Sequence, residues 1–267
     1  MTSGFDREAF ERDGWTVVDL RDEAASAAAL RVIDEVGLEP DHPFFASPAM
    51  SWGAVAGAVD RDLKAIVKPA SDQLLPGHRA FMAGITSKGA RSTMPIPFHQ
   101  DWTYTDERVH RVVFLWTALV DTEPANGGLW AVSGSHRWST NIRPSRDGEA
   151  THHLQDEFAA RAEPVRMRAG QAVVFDPAVV HGSGPNTTDQ LRPAFTMAFV
   201  PDGVPLLHFH EHPDGRLEGL EVDDAFFTQN PYRSRPVGYP PAEPFARALT
   251  DRDLLDALDA HHPASQR

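Results

Sequence analysis

Apolar positions recur at helical spacing in the first quarter of the chain and alternate with polar ones after it. Residues 24–36 are Ala-rich, align Leu30, Ile33 and Val36 on one stripe and stop at Gly37, which predicts a helix. Residues 54–75 predict another, with Val59, Leu63, Ile66 and Val67 as its apolar face and a break or kink at Pro69. Before both, Asp6 is placed to cap a short helix running through Arg12, Gly14 to end it, and residues 15–20 to form a strand.

From about Phe81 short β-branched and aromatic runs alternate with Gly, Pro, Asn and Asp clusters. The expected strands are 80–86, 96–103, 110–121, 128–132, 164–168, 171–176, 178–183 and 191–201, with a polar insertion at 139–160. A last helix is expected from Thr250, through Leu254 to Ala260, ahead of a frayed tail. Helices followed by a run of strands predict one β barrel or sandwich with helices packed outside it. No repeat or linker divides the chain, so a single domain over 1–267 is expected: a helical part at 1–79, a core at about 80–201 and an extension at 202–267.

Charge narrows the partners. The net charge is −13, and the Lys and Arg residues are scattered, so the basic footprint that phosphate backbones require is missing. Nucleic acid and anionic membrane surfaces are therefore not expected as partners. The apolar run from Val112 to Val120 is too short to span a bilayer. The opening residues, Met1 to Asp6, lack a basic, apolar leader, and a cytoplasmic monomer or homodimer is expected. With no cysteine in the chain, any metal must be held by His and carboxylate.

Two segments offer such ligands. In a strand, His99 and Asp101 would project from one face as an i, i+2 pair. An apolar strand ending at His181, before the turn Gly182-Ser183-Gly184-Pro185-Asn186, can bring a second imidazole beside them. Two His and one carboxylate make the facial triad of non-haem iron(II) oxygenases, which leaves three positions open. Arg192, eleven residues after His181, would return on the next antiparallel strand, where its guanidinium can clamp the distal carboxylate of 2-oxoglutarate. Thr196, four residues on, would add a hydroxyl on the same face.

These segments belong to an ordered series: Pro97-Phe98-His99-Gln100-Asp101-Trp102, Leu115-Trp116-Thr117-Ala118-Leu119, Asn126-Gly127-Gly128-Leu129 with Val132-Ser133-Gly134-Ser135-His136, then His181 to Asn186, and Arg192. The series, with Phe10-Glu11-Arg12-Asp13-Gly14-Trp15 ahead of it, resembles the phytanoyl-CoA dioxygenase-like iron/2-oxoglutarate oxygenases. The resemblance implies a mainly β fold with flanking helices around a double-stranded β-helix, the cupin-like jelly roll. It implies iron(II), 2-oxoglutarate and O2, with His99, Asp101 and His181 as metal ligands and Arg192, Trp116 and Ser183 around the co-substrate. Because Asp101 stands where halogenases have Gly or Ala, it argues against halogenation. The implied reaction is hydroxylation of an unactivated C–H bond with release of succinate and CO2, with desaturation, epimerisation and ring closure as alternatives. An Ala-, Asp- and Arg-rich composition like that of GC-rich bacteria adds a lean toward an amino-acid derivative or secondary metabolite as substrate.

Other residues stay open. Trp102, Tyr104 and Trp130 are candidates for a substrate pocket or for plain packing, and Lys88 for an anion contact or an exposed surface position. The stretch His208-Phe209-His210-Glu211-His212 reads as a surface or pocket-rim segment, with zinc binding and substrate contact as lesser readings. The 139–160 insertion, with Arg143 and Arg146, reads as solvated or as a lid. Two rival functions fit the same scaffold: a metal-dependent isomerase or lyase without O2 chemistry, and a non-catalytic binding protein.

Overall fold

The computed structural model describes residues 5–20, 23–47, 53–145, 152–230 and 238–261. Arg146 and the chain ends 1–4 and 262–267 therefore lie outside the described residues. The first helix, α1 (Arg7–Asp13), is capped as expected: the Asp6 side chain accepts from the Ala9 amide, and Gly14 ends the helix at φ 82°. Gly14 is required twice over, because a Cβ there would lie 2.4 Å from His136 Nδ1 and 2.5 Å from Val179 Cγ2.

A six-stranded antiparallel sheet is ordered β1 (Trp15–Asp19), β8 (Gln171–Phe175), β5 (Val113–Ala118), β10 (Arg192–Pro201), β3 (His78–Lys88) and β2 (Phe45–Ala46). Its central strands, β8, β5 and β10, are buried on both faces and sort their side chains with period two. On β5, Val113 and Leu115 join the cluster under helices α2 (Glu23–Val36) and α3 (Ala54–Leu74), while Phe114 and Trp116 join the inner cluster. On β10, Phe195, Met197 and Phe199 face the helices, and Ala194, Ala198 and Val200 face inward. This is the arrangement that alternation dictates for a sheet packed on both sides.

The four-stranded sheet is ordered β4 (Ile96–His99), β9 (His181–Ser183), β6 (Leu129–Ala131) and β7 (Glu163–Pro164). Ala131 of this sheet shares the inner cluster with the large sheet, whereas Val132 and Val180 pack outward on Leu154, Phe158, Leu254 and Leu258. The result is the double-stranded β-helix, with the inner cluster between its sheets. A separate three-stranded sheet, β11 (Leu206–Glu211), β12 (Leu217–Val222) and β13 (Pro241–Ala242), closes one end.

Several expectations are corrected. Helix α2 buries Ala29, Val32 and Ile33, leaving Leu30 and Val36 only partly covered. Helix α3 runs through Pro69 to Leu74, so the proline does not end it. The expected strands at 96–103 and 164–168 shrink to 96–99 and 163–164, because irregular backbone there serves the site and the insertion instead. The insertion is structured at Gln155–Ala159, and its Gln155 amide bonds both the N–H and C=O of Phe98, at 2.7 and 2.9 Å. Strands β11 and β12 were absent from the expected set. No helix among the described residues is long and apolar enough to cross a membrane.

Candidate metal centre and its cavity

His99 ends β4 and His181 opens β9, and the two are register partners. Gly182 allows this approach, since a Cβ on it would sit 2.8 Å from the Ile96 carbonyl. Asp101 lies beyond the strand, so its carboxylate does not meet His99 through i, i+2 alternation. It is held instead by backbone: its N–H donates to Pro177 O at 2.9 Å, and Gln100 Nε2 donates to Ala178 O at 2.5 Å. The 176–178 turn is in turn fixed by Asp176, whose side chain accepts from the Ala178 amide at 2.8 Å.

The three side chains converge. His99 Nε2 lies 3.9 Å from one Asp101 oxygen and His181 Nε2 3.8 Å from the other. One ligand atom from each lies within 4.8 Å of the others, which makes them the metal-competent cluster found among the described residues. Each imidazole turns Nδ1 to a backbone carbonyl, Pro97 O at 2.8 Å for His99 and Val179 O at 3.0 Å for His181. Donation from Nδ1–H sets the tautomer and leaves both Nε2 lone pairs directed at the shared space, a donor set suited to a divalent metal. Burial, and next the neighbouring His99, push His181 down to about 4, so it is neutral at pH 7.

The cluster borders a cavity of about 290 Å³. On its β10 wall Arg192 is 2% exposed, and its guanidinium carbon lies 5.0 Å from the Trp116 ring centre. Its Nε and Nη1 have no hydrogen-bond partner, and burial lowers its pKa to about 10. An unpartnered buried guanidinium is costly, and a carboxylate ligand would satisfy it. Trp116, Ser183 and Thr196 border the same cavity, with Thr196 register partner to Trp116 and Trp116 Nε1 donating to Thr86 Oγ1 at 3.0 Å.

Lys88 differs from both readings of the sequence. It is fully buried, does not border the cavity, and donates from Nζ to Ser183 Oγ at 2.8 Å and Gly184 O at 2.5 Å. Burial first, and Arg192 second, push it down to about 7. Its position follows from register, since it pairs with Arg192 across β3 and β10.

Trp102 and Tyr104 border the cavity, but Trp130 does not. Alternation along β6 gives the cavity to Leu129, and Trp130 lines a small separate void with Trp15 and Val165. Arg143 is no lid: it is buried behind the centre, donating from Nε to Asp101 O at 2.7 Å and pairing with both Glu107 oxygens at 2.9 and 2.6 Å. His208, read from sequence as part of a rim segment, is 3% exposed and faces the cavity from β11. Its hydrophobic flanks, Leu206 and Phe209, were the available signal. His212 pairs with Glu218 at 3.0 Å, and 208–212 forms no metal cluster among the described residues.

A family model described as phytanoyl-CoA dioxygenase matches residues 10–194. A phytanoyl-CoA dioxygenase domain-containing protein 1 from Danio rerio is 33% identical over 106 residues, 37% of this chain and 36% of that protein. The human peroxisomal phytanoyl-CoA dioxygenase is 34% identical over 118 residues, 41% of this chain and 35% of that protein. The alignments thus span about a third of the length of these curated relatives. Among solved structures, EvdO2 from Micromonospora carbonacea var. aurantiaca, complexed with 2-oxoglutarate, superposes with TM-score 0.55 at 20% identity, covering 75% of this chain and 93% of that one. The epimerase SnoN from nogalamycin biosynthesis, in complex with Fe3+, alpha-ketoglutarate and nogalamycin RO, gives TM-score 0.56 at 18% identity over 92% and 94%. At these identities the structural likeness is one of fold.

Proposed function

The chain belongs to the phytanoyl-CoA dioxygenase family, and from that premise we propose that it is a 2-oxoglutarate-dependent oxygenase acting on a small molecule such as a secondary metabolite. His99, Asp101 and His181 would hold iron(II), and Arg192 would bind the distal carboxylate of 2-oxoglutarate. The observation that carries this reading is the unpartnered guanidinium of Arg192 in the same cavity as the His-Asp-His cluster. An isomerase or lyase with no keto-acid has no use for that buried cation.

Iron(II) and 2-oxoglutarate, when bound, supply O2 activation coupled to decarboxylation, giving succinate, CO2 and an oxidised substrate. The chain's own residues orient and exclude. The carbonyls of Pro97 and Val179 fix the two imidazoles, and Arg143 and Pro177 fix the backbone of Asp101. Trp116 flanks the Arg192 guanidinium, and Thr196 from β10 and Ser183 from β9 border the same cavity with their hydroxyls. Lys88, below Ser183, orients that hydroxyl. The apolar lining keeps water from the reacting centre. Hydroxylation is the default outcome; SnoN, an epimerase, and SnoK, a carbocyclase, share the fold and mark the alternatives.

The test is an anaerobic titration of metal-free protein with Fe(II) and 2-oxoglutarate, followed by visible absorption. We expect an iron-to-keto-acid charge-transfer band that is lost in His181→Ala and strongly weakened in Arg192→Ala. Iron binding without the band in the wild type would overturn the oxygenase reading.

A further inference from the structure

The charged groups bordering the cavity, among the described residues, are Asp101 and Arg192, beside the imidazoles of His99 and His181. The proposed function assigns them to metal and co-substrate. Lys88, the other nearby cation, is turned away under Ser183. What is left for a substrate is mostly aromatic: Trp102, Tyr104, Phe114, Phe226 and Phe227 border the space, with two polar side chains, Asn230, whose Nδ2 donates to the Phe226 carbonyl at 2.9 Å, and Thr86, which accepts from Trp116 Nε1 at 3.0 Å. Tyr104 and Phe227 have ring centres 5.6 Å apart, and Phe226 and Phe227 5.0 Å apart, so they form one continuous surface.

His208 stands in that surface. Its ring meets Trp102 edge-on at 5.5 Å and Phe226 at 4.7 Å. Its Nε2 is 3.2 Å from Ser145 Oγ, which is also 3.2 Å from the Phe209 carbonyl and 3.2 Å from His210 Nδ1. In the Nε2–H tautomer of His208, the ring donates to Ser145 Oγ and the Ser145 hydroxyl goes to the Phe209 carbonyl. Nδ1 then carries the lone pair and has no hydrogen-bond partner among the described residues. Burial keeps the ring neutral, pushing it down to about 4, with His210 adding to the effect.

Resting on the reading above, we propose that the substrate is a small, uncharged ring compound whose single hydroxyl or N–H donates to His208 Nδ1, with the ring lying among Trp102, Tyr104, Phe226 and Phe227. A phosphate ester or an amino-acid zwitterion would bring charge into a space where the described residues offer no further countercharge, at a desolvation cost. The volume, about 290 Å³ and shared with the co-substrate, lies at the small end of the range for ligand sites.

The experiment is a ligand-observed NMR titration of the full chain, with zinc and with or without saturating 2-oxoglutarate. The three compounds are 4-ethylphenol, its isomer 4-methylanisole, which lacks the donor, and the anion 4-methylbenzoate. We expect 4-ethylphenol to bind about tenfold more tightly than 4-methylanisole, with 4-methylbenzoate weakest once 2-oxoglutarate is present. His208→Phe should erase the preference between the isomers while still binding 4-methylanisole. A preference for 4-methylbenzoate, failure of both neutral rings, or an unchanged preference in His208→Phe would overturn the proposal. The wild-type ranking needs no variant to fold. A charge-transfer band with a benzoate preference sinks the substrate class alone, whereas the expected ranking with no band sinks the oxygenase alone.

Discussion

Behind Asp101 and on the β10 wall of the cavity the molecule buries an arginine, and it treats the two in opposite ways. Arg143 has its Nε on the Asp101 carbonyl and its two terminal nitrogens on the Glu107 carboxylate. Arg192 is equally buried, yet two of its nitrogens have no partner and its neighbour across the strand is another cation, Lys88. The first is a finished structural element whose charge is neutralised within the fold. The second stores an unmet demand for an anion, which is how a protein holds a ligand site ready at the expense of its own stability.

The comparison can be broken at several points. Arg143→Leu should have the largest effect, about 3–5 kcal/mol of lost stability, because Glu107 is left buried and unpaired. Urea unfolding measures it, and a loss under about 1 kcal/mol would put the pair in the same class as a surface bridge. Arg192→Met should leave unfolding unchanged or shift it to higher urea. Its cost should appear in 2-oxoglutarate affinity, about 2–5 kcal/mol by calorimetry, as for a lost partner of a buried charge.

Mass action sharpens the same contrast. At a hundred times its wild-type Kd, 2-oxoglutarate added to the metal-loaded protein should stabilise the wild type by about 2.7 kcal/mol and Arg192→Met by less than about 1 kcal/mol, which thermal unfolding would detect. A pH dependence is also expected from Lys88. Its folded pKa, about 7, lies below the ordinary value of 10.5, so between those values the unfolded chain binds more protons and stability rises with pH. Unfolding of the wild type and Lys88→Met at pH 7 and pH 9.5 should show this rise only in the wild type.

Much of this was legible in the chain. Short β-branched and aromatic runs bounded by turn residues predicted β5, β8 and β10, because such runs are a local property of the chain. His99, Asp101, His181 and Arg192 could be singled out because their residue types and order restrict the chemistry. The route by which Asp101 reaches the imidazoles could not be read: the strand was expected to run to 103, yet it ends at His99, and the carboxylate is placed by Pro177 and Arg143.

What the sequence determined by itself was therefore the donor set, the strand runs of the core and the helices ahead of it, since each depends on residues near one another in the chain. Tertiary structure alone decided which polar side chains are satisfied. Lys88 looked like a surface lysine and is sealed beneath Ser183, while Arg143, expected in a lid, braces Asp101 from behind. His208, expected at a rim, became part of the cavity wall. In each case the partner lies tens of residues away, and burial and pairing are set by packing between segments that no local pattern records.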